Sequence, residues 1–300
     1  MEKLTFQSTM QLRNGVKMPR FGFGTAEIAP TLAEQVTIIR NAIDVGYRLL
    51  DTAFIYHTER GVGQAIRESG IDRDEFFIST KIWNGEARRG KKAIIKSFEE
   101  SLRRLGTDYV DLLILHWPIP GKVVDTWRVM EELYYSGRVR ALGLSNVQRY
   151  HHLDIEQNCE IMAHVQQDSY NPFCRSLYQK IFCEAHGIAF EAMSPIERGA
   201  VMKIPELTEI GNKYGKTPIQ VVLRWDMQSN VITIPRTANR AHMQSNADIF
   251  DFELSEEDFD EEGKIDLITL LIKAELVPSR SEGRRAIQQG GVSIDGEKLT

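Results

Sequence analysis

Along the chain, short runs of apolar residues alternate with longer segments of helical period. The runs lie at residues 20–25, 47–53, 76–82, 110–117, 140–146, 161–167, 188–195 and 231–235. Between them, residues 32–45, 91–105, 124–136 and 218–228 repeat apolar side chains every three or four positions, the period of a helix with one buried face. Each crossover is long enough to hold a helix, so the pattern predicts parallel pairing, and eight parallel strands close into a barrel. The expected fold is therefore α/β, an eight-stranded β/α (TIM) barrel, with an open doubly wound sheet as the second arrangement. Ahead of the first run, apolar and polar residues alternate on either side of Asn14-Gly15, a strong hairpin signal, and predict a small N-terminal β-hairpin cap on one barrel end.

The pattern changes at the acidic run Glu256-Glu257-Asp258-Phe259-Asp260-Glu261-Glu262. A boundary after it divides the chain into a barrel, residues 1–262, and a short C-terminal appendage, residues 263–300. In the appendage, residues 265–276 and 281–289 read as amphipathic helices and residues 292–297 as a strand entering a turn.

Composition narrows the function. A chain of 300 residues with 42% hydrophobic side chains fills a substantial core. A formal charge of −5 leaves no broad basic field for nucleic acid, so any anion site is local. Cys159, Cys174 and Cys183 lack paired C-x-x-C spacing, which points to reduced thiols rather than a disulfide framework or a zinc site. Neither a secretory leader nor an apolar run of membrane-spanning length is evident, so a cytoplasmic protein is expected, and a monomer.

In a β/α barrel the chemistry belongs at the carboxyl ends of the strands. Asp51 ends the second strand, with Tyr56 in the loop behind it, Thr80-Lys81 ends the third and His116-Trp117 the fourth. The later strands end in Ser145-Asn146, Gln166-Gln167, Ser194 and Arg236-Thr237. Taken singly, Asp51 fits a loop cap, Lys81 a solvated strand end and His116 a satisfied core histidine. Together on neighbouring strands they form a proton-transfer group. A phenol needs a nearby cation to exchange protons near neutral pH; Lys81 is that cation, Asp51 anchors it, and His116 orients a carbonyl oxygen. No metal is required. Trp83 and Trp117 would wall an apolar pocket, or simply pack in the core.

These residues resemble the signatures of the aldo-keto reductases. Gly46-Tyr47-Arg48-Leu49-Leu50-Asp51-Thr52-Ala53, followed by Tyr56, Glu59 and Val62-Gly63, is similar to the family's first motif. Thr80-Lys81, Leu115-His116-Trp117-Pro118, Gly143-Leu144-Ser145-Asn146 and Ile234-Pro235-Arg236-Thr237 follow in the family's order. The resemblance spans roughly residues 4–258. It implies that Tyr56 is the general acid/base, that Lys81 and Asp51 lower its pKa, and that His116 orients the carbonyl. It further implies an NADPH cofactor, with NADH possible, held through Thr25, Asp51, Ser145, Asn146, Gln167, Met193 and Ser194 at the nicotinamide end. Ile234, Arg236, Thr237, Asn239, His242 and Asn246 would take the phosphates and adenosine.

Three positions depart from the family pattern. Met193 stands where an aromatic ring usually stacks on the nicotinamide, and His242 where an arginine commonly grips the 2′-phosphate, leaving Arg236 and Arg240 as the cations. Ala26 replaces a bulky aromatic and widens the substrate pocket. There is no G-x-G-x-x-G after a first strand, and Gly61-Val62-Gly63 reads as helix packing.

The tail from Asp266 through Val277-Pro278-Ser279-Arg280-Ser281-Glu282-Gly283-Arg284-Arg285-Ala286 resembles the small RNA-binding domain that closes bacterial tyrosyl-tRNA synthetases, cut short at Thr300. Lys273, Arg280, Arg284 and Arg285 could meet phosphates, against Asp266, Glu275, Glu282 and Asp295. The expected function is NADPH-dependent reduction of small aldehydes or ketones. The alternatives are a cofactor-bound sensor with little turnover and an RNA-associated protein whose tail does the binding.

Overall fold

A computed structural model describes residues 3–255, 258, 293–294 and 297–298. The chain parts into two compact units, Met1–Glu253 and Leu254–Thr300. The expected boundary at 262/263 and the two tail helices lie outside the described residues. In the second unit β11 (Ser293–Ile294) pairs antiparallel with β12 (Glu297–Lys298), in keeping with a strand entering a turn.

The first unit opens with the hairpin β1 (Thr9–Gln11) and β2 (Lys17–Pro19). Gly15 carries the turn at φ +86°, where a side chain would be strained, and Leu12 and Val16 close it through a 2.8 Å backbone bond. Eight parallel strands follow: β3 (Gly22–Gly24), β4 (Leu49–Asp51), β5 (Phe77–Ile82), β6 (Val110–Leu115), β7 (Val139–Ser145), β8 (Val165–Ser169), β9 (Ala189–Met193) and β10 (Ile232–Thr233). They pair in chain order, and a parallel bridge between Phe21 and Thr233 joins the last strand back to the first. This is the closed barrel, not the open sheet.

The crossovers hold α1 (Leu32–Val45), α2 (Glu59–Ser69), α3 (Asn84–Arg89), α4 (Lys91–Leu105), α5 (Val123–Tyr135), α6 (Arg149–Asn158), α7 (Leu177–Ala185), α8 (Pro205–Tyr214), α9 (Pro218–Gln228) and α10 (Arg240–Ala247). Capping boxes start α1 at Thr31 and α9 at Thr217, and Pro218 at the first position of α9 gives up no bond. Gly63 of α2 lies against the end of α4: a Cβ there would fall 2.2 Å from the Leu105 carbonyl oxygen, so this glycine serves close helix packing.

The sixth barrel strand begins at Val165, four residues later than the apolar run at 161. Ile161 is held instead by α5, its N–H donating to Glu131 (2.7 Å) and its carbonyl accepting from Trp127 Nε1 (2.7 Å).

Side-chain alternation sorts every strand into two faces. Leu50, Ile78, Leu113, Leu142, Leu144, Phe190 and their neighbours point outward and pack under the helices. Leu49, Phe77, Leu112, Ile114, Val165, Ala189 and Ile232 point inward and, with Leu12 and Met18 of the hairpin, form a separate apolar cluster that fills the barrel and closes its N-terminal end. Following the same inward parity toward the carboxyl ends leads from this apolar layer to a polar one: Asp51, Lys81, His116, Ser145, Gln167, Glu191 and Arg236.

Candidate active site

The polar layer is the candidate site. Asp51 is 4% exposed and its Oδ2 accepts from Lys81 Nζ (2.5 Å), Ser79 Oγ (2.7 Å) and Gln167 Nε2 (3.1 Å). Lys81 is 1% exposed, also donates to the Thr52 carbonyl at 3.0 Å, and lies 4.9 Å from the centre of the Tyr56 ring. Tyr56 sits on a single 3-10 turn, Phe54–Tyr56, which carries its phenol back over the strand ends. Its hydroxyl is 3.3 Å from His116 Nε2, and the two rings meet edge to face.

The electrostatics follow from burial. Burial pulls the Lys81 ammonium down, but Asp51, Tyr56 and Glu191 together hold it above its ordinary value, so it stays charged. Burial, then the Lys81 charge, push His116 down to about 3, so its imidazole is neutral. Burial raises the Tyr56 phenol, Lys81 pulls it back and Asp51 pushes it up again; the balance is upward. Lys81 thus acts on Tyr56 in the direction the sequence suggests. Asp51 acts in the opposite one when felt directly, because it is an anion beside a group that becomes an anion; its service is to keep Lys81 charged.

The remaining expected residues divide. Asn146 stands at φ +58° with its side chain donating to the His116 carbonyl and to Ser145 Oγ, both at 2.9 Å. Thr25 is fully buried, its hydroxyl donating to the Asp51 carbonyl at 2.8 Å, so it braces the strand end that carries Asp51. Trp83 meets the His116 ring edge to face at 5.2 Å, and Trp117 is 46% exposed at the end of β6. Met193 and Ala26 are half-buried, and Ser194 follows Met193 at φ +53°.

At the phosphate end Ile234 packs in the interior cluster, and Arg236 donates to the Ala26 carbonyl with Glu27 3.7 Å away. Asn239 caps α10 by accepting from the Ala241 and His242 N–H groups, and Thr237 accepts from the Asn239 N–H. His242 is exposed and Asn246 buried. Arg240 is turned onto α1, 2.8 Å from Asn41 Oδ1 and 3.5 Å from Asp44, which leaves Arg236 nearer the strand ends.

One residue of the layer was missed in the sequence. Glu191 is wholly buried, its Oε2 accepting from Gln167 Nε2 at 2.7 Å. Its neighbours Phe190 and Ala192 disguise it as part of an apolar run, but inward parity with Ala189 and Met193 would have found it.

The donor set suits a nicotinamide cofactor: amide and hydroxyl groups converge beside the charged pair at one end, and the Arg236 guanidinium and the start of α10 lie at the other, where a phosphate would have to compete with Ala26, Glu27 and the Asn239 cap. Residues 20–266 match the model of the Aldo/keto reductase family. The glyoxal reductase of Bacillus subtilis is 42% identical over 264 residues, 88% of this chain and 94% of that protein. An aldo/keto reductase from Brucella melitensis superposes with a TM-score of 0.80 at 36% identity, covering 85% of this chain and 97% of that one. A Bombyx mori aldo-keto reductase in complex with NADP gives a TM-score of 0.78 at 30% identity, covering 85% and 91%. At the other end, residues 250–300 match the model of the tyrosine–tRNA ligase SYY-like C-terminal domain.

Proposed function

The chain belongs to the aldo/keto reductase family, and from that premise we propose that it reduces small aldehydes of the glyoxal class to alcohols with NADPH. The observation that carries the reading is the buried Lys81–Asp51 pair set under a phenol that also meets a neutral imidazole. A reduced nicotinamide, when bound, supplies a hydride to the carbonyl carbon. Tyr56 supplies the proton that the carbonyl oxygen takes up, and becomes a phenolate. Lys81, held charged by Asp51, stabilises that phenolate and thereby makes a high-pKa phenol able to release its proton. His116 is neutral, and in the tautomer this reading requires, with its hydrogen on Nε2, it donates to the same carbonyl oxygen and aligns it with Tyr56. Ser145, Asn146 and Gln167 hold the carboxamide of the nicotinamide, and Arg236 with the α10 N-terminus holds phosphate. Trp83, edge to face with His116, lines the substrate side; the choice of glyoxal-class aldehydes rests on the likeness to the glyoxal reductase.

The test is loss of reduced-nicotinamide absorbance with NADPH or NADH and a panel of glyoxal, other short aldehydes and ketones. Faster turnover of glyoxal with NADPH supports the reading; cofactor binding without turnover of any carbonyl favours a sensor instead. The tail match favours a second reading, RNA binding through residues 263–300. Retention of tRNA by the full chain, lost on deletion of residues 263–300 while reductase turnover is kept, is its signature.

A further inference from the structure

Beyond its share in holding Lys81 charged, Glu191 has no part in the proton or hydride transfer, yet it lies inside the reacting layer. On β9 it stands in register with Gln167 of β8 on one side and Ile232 of β10 on the other. Gln167 is 1% exposed, and its Nε2 donates both to Glu191 Oε2 at 2.7 Å and to Asp51 Oδ2 at 3.1 Å. A primary amide nitrogen has two hydrogens and no acceptor capacity, whereas its oxygen only accepts. Beside the Asp51 carboxylate, which only accepts, an inward amide oxygen would be repelled, so the satisfactory orientation is nitrogen inward, with one hydrogen to Asp51 and the other to Glu191. Among the described residues Gln167 Oε1 accepts no hydrogen bond, so it is the free acceptor of the pair.

The charges agree with this arrangement. The groups facing Glu191 are Asp51, Lys81 and, further off, Tyr56, so two carboxyls share one ammonium. Burial and then the Asp51 charge raise the Glu191 carboxyl above its ordinary value, while Gln167 and Lys81 pull it back down. Its Oε1 is buried and without a partner among the described residues, while Oε2 accepts from Gln167.

We propose that Glu191 is a positioning residue for cofactor binding: with Asp51 it takes both amide hydrogens of Gln167 and so presents Gln167 Oε1 as the acceptor for the nicotinamide carboxamide. This rests on the reading of Gln167 as a nicotinamide contact. Glu191→Met removes the acceptor and frees the amide to rotate, whereas Glu191→Gln keeps an acceptor oxygen at the same reach without charge.

NADPH affinity is measured by tryptophan fluorescence in the full-length wild type, in both variants, in Gln167→Met and in Gln167→Met/Glu191→Met, each with a melting curve. Glu191→Met is expected to weaken NADPH about tenfold, the scale of one hydrogen bond, with the aldehyde KM little changed. Glu191→Gln restores binding, and the Glu191→Met effect vanishes in the Gln167→Met background. Unchanged affinity in Glu191→Met, equal loss in Glu191→Gln, or an undiminished effect without Gln167 overturns the proposal. Hydrogen exchange of the Gln167 side-chain amide in the wild type needs no variant to fold: protection of both hydrogens is expected, and rapid exchange of either one contradicts the proposal. Wild type that fails to bind NADPH at all refutes the reductase reading, while the exchange result still judges the Glu191 contact.

Discussion

The Lys81–Asp51 pair separates stability from catalysis in a way that can be measured. Lys81 is fully buried at its side chain and Asp51 nearly so, 5% exposed, and the pair is 2.5 Å apart. Replacing Lys81 by Met leaves Asp51, among the described residues, with the Ser79 and Gln167 side chains as donors, a buried anion without its cation. Breaking one side of such a pair costs about 3–5 kcal/mol. For a unit of this size about 1 kcal/mol moves the melting temperature by roughly 2–4 °C, so the loss should be roughly 6–20 °C. Adding Asp51→Asn removes the stranded charge, and the double variant should recover about 2 kcal/mol or more relative to the sum of the single changes. Turnover should not recover with it, because Tyr56 still has no cation to stabilise its phenolate. Urea unfolding of the four proteins, with NADPH-dependent turnover on the same samples, supplies both readouts. Additive stabilities, or a cost under about 1 kcal/mol for Lys81→Met, would refute the argument that the pair is an interdependent buried unit.

Other consequences are equally direct. Because His116 is pushed down to about 3, its ring resonances should show no titration between about pH 5 and 8; a midpoint near 6.5 contradicts the burial argument. His152 and His164 are likewise depressed, both to about 4. Histidines neutral in the fold and protonated once unfolded contribute stability that is present above pH 6.5 and lost as the pH falls toward 4, so His164→Gln should flatten the acid limb of the unfolding free energy. Gly63→Ala forces a methyl against the Leu105 carbonyl and should cost about 1–3 kcal/mol in unfolding experiments with kcat/KM kept. Asp111 is fully buried and accepts from Arg73 (2.8 Å), Arg140 (2.7 Å) and the Ile78 N–H (2.9 Å). Asp111→Ala strands those donors and should lower the melting temperature by more than any exposed acid-to-alanine change.

Barrel topology was legible because its signal is redundant: eight apolar runs, helical spacing between them, and a hairpin turn that demands Asn14-Gly15. Helices α1, α4 and α9 were readable to the residue from their apolar stripes; capping boxes start α1 and α9, and Gly106 in the left-handed region ends α4. The β8 start was not, because Ile161 is as apolar as a strand residue and only its bonds to α5 reveal that it is a loop. Asp51, Lys81, His116 and Gln167 could be gathered from strand ends alone. Glu191 escaped because its pairing with Gln167 crosses between strands. The turning of Arg240 onto Asn41 and Asp44 escaped for a related reason: long side chains choose partners by tertiary proximity, which spacing along a helix does not encode. Asp51's direct upward push on Tyr56 runs against the expected lowering; the resemblance treats Asp51 and Lys81 as one group, and only their separate distances and burial divide the two effects.

The central claim is that Tyr56 delivers the proton to the carbonyl oxygen, and Tyr56→Phe tests it most directly. The change removes one hydroxyl at the barrel mouth and leaves the Lys81–Asp51 pair and the cofactor contacts in place. Single-turnover reduction of glyoxal should be followed in wild type and variant, both loaded with NADPH and shown by fluorescence to bind it equally. The account predicts unchanged NADPH affinity with a rate lower by about 10²–10⁴, the range for loss of a general acid. Turnover at the wild-type rate in Tyr56→Phe would contradict it.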